Sequence, residues 1–166
     1  GKLLDGDALA EVIADEGDGA VDGEIRLEEL LPPLVALHRS HDADDALGLP
    51  VKNVVAGLPA DQFFCPGSIV RLDIDPSQPI GFGMLPQNAA FFSFSSAYDV
   101  TPGPDVRVVA RYGAKDILMS GWLEGEQAIA GRAAVVEARA GLGRAVLIGF
   151  RAQHRGQSMA TFRLLF

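Results

Sequence analysis

GRAAVVEARAGLGRAVLIGFRAQHRGQSMATFRLLF, residues 131–166, is the most regular part of the chain, and its reading decides the fold. Residues 131–140 alternate as a half-buried strand does. Residues 144–150, RAVLIGF, form an apolar strand expected at the centre of a sheet. Between them GLGR supplies a turn whose Gly141 and Gly143 can take positive φ, so the pair is predicted to be an antiparallel hairpin. RAQHRGQ follows as a loop. SMATFRLLF then reads as a helix with Ser158 as its N-cap and Met159, Phe162, Leu165 and Phe166 toward the sheet. The run closes on LLF, as a truncated chain would.

Working outward, residues 106–112, VRVVARY, and 65–75, CPGSIVRLDID, are predicted strands. Residues 89–100 are β-rich, and 117–123 form a further short element. Pro79 excludes a central strand between 76 and 88. LVALH, residues 34–38, is a short strand. Upstream, Asp5 to Ala14 and Ile25 to Leu31 carry helical signals, the second ended by Pro32 and Pro33. Helices and strands in one chain predict an α/β or α+β domain with a mixed sheet and flanking helices, and the hairpin rules out a purely parallel one.

The length of 166 residues suits one domain. No apolar run approaches the roughly 18 residues of a membrane-spanning helix. The N-terminus lacks the pattern of a signal peptide, and a soluble protein is expected. A single cysteine, Cys65, makes no internal disulfide. The charge of −8 is unevenly placed: residues 1–50 hold 3 basic and 13 acidic residues, the remainder 11 basic and 9 acidic. The acidic third repels phosphate backbones, and no basic aromatic stripe offsets it, so nucleic acid is excluded as a partner.

Four places could carry chemistry. RAQHRGQS, residues 151–158, lies between a central strand and a predicted helix. Arg151, His154 and Arg155 would bring positive charge there, and Gln157 and Ser158 hydrogen bonds, which suits an anion or a peptide carboxylate. The plainer reading is that Arg151 or Arg155 makes a charge-assisted contact that pins the loop. Cys65 could be a nucleophile with His154 as base, yet Pro66 breaks the elbow that hydrolases use, and a buried structural thiol is the plainer reading. His38 and His41, with Asp42, Asp44 and Asp45, have ligand chemistry but no HExxH spacing, which leaves a polar turn. DGAVDGEIRLEE, residues 18–29, places Asp18, Asp22, Glu24 and Glu29 near calcium-loop positions, but Ala20 and Arg26 spoil the ligand pattern. An acidic loop is the plainer reading. No phosphate-binding glycine motif is present.

LPVKNVVAGLPADQFFCPGSIVRLDID, QPIGFGM and GWLEGEQAIAGRAAVVEARAGLGRAVLIGFRAQHRGQSMATFRLLF resemble the C-terminal region of bacterial M14-type zinc carboxypeptidase-like proteins. The resemblance spans about residues 47–166, and its most telling pieces are FFCPGS, GWLEGE and GFRAQHRGQS. It implies a class I glutamine amidotransferase-like, flavodoxin-like α/β fold, with a mostly parallel sheet, over residues 47–166. Residues 1–46 would be an acidic N-terminal segment of the same domain. It also implies zinc only in a separate upstream catalytic domain, since this chain has no HxxE, and a periplasmic or secreted parent. The expected role is a non-catalytic accessory or interaction domain whose partner is that peptidase domain or another protein surface. The alternatives are an anion-binding module at Arg151, His154 and Arg155, and a cysteine hydrolase or amidase built on Cys65.

Overall fold

The computed structural model describes the backbone of residues 34–38 and the full residues 48–140, 143–156 and 159–165. Nine strands form one sheet: β1 (Leu34–His38), β2 (Val51–Asn53), β3 (Ser68–Ile74), β4 (Gln87–Phe92), β5 (Tyr98–Val100), β6 (Val106–Tyr112), β7 (Leu118–Ser120), β8 (Ala133–Ala140) and β9 (Gly143–Ile148). The main path runs β1-β9-β8-β6-β3-β4. Every pairing is antiparallel except β1 with β9.

This overturns the expected helix-flanked, mostly parallel, flavodoxin-like α/β fold. Among the described residues the only helices are 3-10 turns, at Pro79–Gly81, Glu126–Ala128 and Met159–Leu165. The parallel sheet is implied by the resemblance, whereas residues 131–140 by themselves read as a half-buried alternating strand. A strand covered on both faces is usual in parallel sheets. Here an antiparallel strand is covered on both faces. β8 is buried at seven of its eight positions because two cores flank it.

The first core lies inside the curled sheet. It joins Val70, Leu72, Phe92, Tyr112, Val135 and Ile148, with Leu164 from the last 3-10 turn. The second lies between the outer face of β8 and β9 and the β2–β5 ribbon, with Tyr98, Val136 and Leu147 at its centre. The β6–β8 pairing shifts register on either side of Ala110. Such a bulge breaks the strict alternation of a strand. Successive residues Ala134 and Val135 therefore both face the first core, while Ala133 and Val136 face the second.

The sheet also closes on itself. Beyond β9 the chain meets the free edge of β4, where the Arg151 N–H donates to the Phe91 carbonyl at 3.2 Å. The predicted hairpin is present, with register from Val135↔Ile148 to Ala140↔Gly143. The predicted C-terminal helix is a 3-10 segment, and its inward face differs in part from the expected one: Thr161 and Leu164 are buried and Met159 is exposed, while Leu165 packs against the first core as expected and Phe166 lies outside the described residues. Three residues per turn align positions three apart, so the face repeats as 161 and 164.

Candidate functional site

FFCPGS and GWLEGE meet where β3 begins and β7 ends, and Arg151 and His154 lie against Phe91 near the end of β4. Phe64 and Glu124 form an antiparallel bridge, each N–H donating to the other's carbonyl, at 3.1 and 2.9 Å. The Ser68 hydroxyl donates to the Trp122 carbonyl at 2.7 Å and accepts the Trp122 N–H at 2.9 Å. Gly121 has φ +104, and a methyl there would lie 2.6 Å from the Ser68 oxygen, so the approach needs glycine. Trp122 is thereby fixed, yet 60% of it is exposed. Its indole N–H donates to the Glu124 carboxylate at 3.0 Å.

Phe94 stands beside the same segment. Its φ of +47 is a strained value for a bulky residue, and the side chain is 76% exposed. The turn is held by buried serines. The Ser95 hydroxyl accepts the Ser93 N–H at 2.9 Å, and the Ser93 hydroxyl donates to the Pro66 carbonyl at 3.5 Å. Behind them, the buried Tyr112 hydroxyl donates to the Ser96 carbonyl at 2.7 Å. Burial, then the neighbouring Tyr98, pushes the Tyr112 pKa well above its usual value, so it stays a neutral donor. A strained, exposed aromatic on a rigid serine frame is a feature that folding alone does not call for. Phe64 lies two residues before the Pro66–Ser68 segment, Phe94 follows the Ser93 that donates to Pro66, and Trp122 is bonded to Ser68 itself; these three aromatics are the rim.

Of the sequence-predicted ligand residues, Arg151 and His154 lie against Phe91, beside the Pro66–Ser68 segment. His154 stacks on Phe91 at 4.3 Å between ring centroids, with 9° between planes. Arg151 places Nη1 3.3 Å from His154 Nδ1. Partial burial, then the charges of Arg151 and Arg155, hold the His154 pKa below its ordinary value. A neutral ring with Nδ1 as acceptor fits that contact. Arg155 is exposed, with φ +47. Arg151 and His154 are therefore brought together. Gln157 and Ser158 lie outside the described residues.

Cys65 is packed against the first core, and its thiol faces the Phe92 carbonyl at 3.8 Å. Burial raises its pKa, with Ser68 and Gly67 offsetting part of the effect. A thiol held protonated is a poor nucleophile. Phe91 and Phe92 are successive residues of one strand and point to opposite faces. The thiol sits by the inward Phe92, whereas His154 stacks on the outward Phe91.

Among the described residues no group of three or more His, Cys, Asp or Glu side chains gathers as a metal site. Asp18, Asp22, Glu24, Glu29, His41, Asp42, Asp44 and Asp45 lie outside those residues, and His38 is placed by its backbone on β1. No helix among the described residues is long and apolar enough to cross a membrane. Sequence reasoning passed over Phe64, Phe94 and Trp122. The available signals were the lone tryptophan next to a glycine and the phenylalanine flanked by serines in FSFSS.

No family model matches the chain, and no curated protein matches it. Among solved structures the chain is similar to a ThuA-like protein from Bacteroides uniformis ATCC 8492. The TM-score is 0.37 and the identity 15%, over 62% of this chain and 43% of that one. The chain thus spans less than half the length of that protein, and a likeness at this level carries no argument about fold or chemistry.

Proposed function

We propose that this chain is a non-catalytic interaction domain that docks on a partner protein through the rim formed by Phe64, Phe94 and Trp122. The observation that supports it most is the fixed exposure of Trp122. Ser68 holds its backbone and Glu124 accepts its indole N–H, which together orient the largest side chain type at the surface, where it buries little within its own fold. Tryptophan and other aromatics held rigid at a surface are the residues that most often dominate binding energy, because little side-chain entropy is lost on contact. Leu118 and Met119 on β7 are also part-exposed. The partner class rests on the sequence resemblance, which names the peptidase domain of a zinc carboxypeptidase-like parent. The reading is tested by capture of that peptidase domain on the immobilised chain. Trp122→Asp combined with Phe94→Asp is expected to abolish capture while leaving the unfolding midpoint within about 1 kcal/mol of wild type, as surface changes do. Turnover of peptide, amide or ester substrates by the chain alone, lost on Cys65→Ser, would overturn it in favour of the hydrolase alternative.

A second reading has one observation in its favour, the junction of Arg151 and His154 on Phe91. On this reading the loop takes a peptide carboxylate. Titration with a capped dipeptide bearing a free C-terminus decides it, and no binding at millimolar concentration removes it.

A further inference from the structure

We propose that the Phe64–Glu124–Trp122 cluster is a receptor for a cationic side chain, arginine or lysine, presented by the partner protein. The inference rests on the interaction-domain reading and names the chemistry of one contact within it. Phe64 lies directly opposite Glu124 in their antiparallel bridge, so the two side chains share a face. Trp122 is two residues before Glu124, and its indole N–H holds the Glu124 carboxylate, which places the indole on that face too. The result is a carboxylate flanked by two exposed aromatic rings. Among the described residues no arginine or lysine pairs with Glu124; the ion pairs engage Glu137, Asp99 and Asp105 instead.

Such a set suits a cation better than a neutral group. The ring faces attract positive charge through their quadrupole, most strongly for tryptophan. The carboxylate supplies a charge-assisted acceptor, and arginine's planar fork can stack on a ring while donating to an oxygen. The indole N–H occupies one carboxylate oxygen and leaves the other for the guest. The backbone pinning of Trp122 by Ser68 means that the site forms before the guest arrives.

Trp122 is the only tryptophan in the chain, so its fluorescence reads this site directly. The full chain is titrated with capped tetra-arginine, capped tetra-glutamate and cellotetraose. A saturable fluorescence change with tetra-arginine alone, weakened by added salt, is expected. Glu124→Gln keeps an acceptor for the indole but removes the charge, and it should weaken binding about fivefold or more, as should Phe64→Ala. Unchanged tetra-arginine affinity in both variants would place the binding elsewhere, such as on the acidic N-terminal third, and overturn the proposal. So would saturation by cellotetraose in its place, or no response at millimolar peptide. Capture of the partner by the wild-type chain without tetra-arginine binding would sink this inference alone. Tetra-arginine binding without capture would sink the choice of partner and leave the cation site standing.

Discussion

His154 gains its position from two neighbours, the Phe91 ring beneath it and the Arg151 guanidinium beside it. Because partial burial and the adjacent arginines lower its pKa, the folded chain resists a proton that the unfolded chain accepts near pH 6.5. The unfolded state therefore binds more protons between the two values, and stability falls as pH drops from about 6.5 through the folded pKa. His154→Phe keeps a stacking ring and removes the titration. Urea midpoints from pH 8 to pH 5 are expected to fall less in this variant than in wild type; equal slopes would show that His154 does not titrate as argued. Phe94 illustrates the opposite cost. Its left-handed backbone is strained, and its ring buries little. Phe94→Gly relieves about 1–2 kcal/mol of strain against about 0.5–1 kcal/mol of added chain entropy, so denaturation should find it as stable as wild type or slightly more so. Partner capture should weaken at the same time. A variant destabilised by more than about 2 kcal/mol would mean that Phe94 serves the fold.

Between residues and the whole, the informative elements are those that fit two environments. β7 continues the line of β6 after a five-residue excursion, and both lie along the same edge of β3. The segment that follows turns at Gly121, where Ser68 leaves no room for a side chain. Gly121→Ala meets both a positive φ and a close contact, and is expected to cost about 1–3 kcal/mol in chemical denaturation. It should also shift the Trp122 emission by freeing the indole. A stable variant with unshifted emission would contradict the pinning. β8 carries a different compromise. Glu137 is the buried charge of the strand, and Arg144 on β9 donates to its carboxylate at 2.7 Å, with Arg107 of β6 at 3.9 Å. A charge on a covered strand is tolerated where such partners come from both flanking strands.

At the scale of the molecule, β8 ties the two cores together, since alternate parts of one strand belong to each. The cores are therefore expected to unfold as one unit. Trp122 fluorescence reports the rim of the first core, and near-UV circular dichroism reports Tyr112 of the first and Tyr98 of the second. Coincident urea transitions from the two probes are expected. Two separated midpoints would mean that the β2–β5 ribbon melts independently. The rim depends on this whole. Its segments come from residues 63–68, 91–96 and 121–126, far apart in sequence, and they meet because β4 and β7 both pair with β3, Phe64 bridges Glu124 and Ser68 binds Trp122.

The sequence by itself determined the local pieces. VRVVARY at 106–112 and the 133–148 hairpin were legible because alternation and a glycine turn are properties of neighbouring residues. Strand pairing was not legible in that way. The run AAVVEARA is equally suited to a parallel sheet and to an antiparallel strand between two cores, and local propensity contains no term that separates them. The resemblance pointed toward the parallel choice, and the described structure corrects it. For the site, charge and ring type marked Arg151 and His154, but exposure marks Phe64, Phe94 and Trp122. Exposure is decided by what the rest of the chain covers, which no local pattern around these aromatics contains, so only the tertiary structure reveals them as surface.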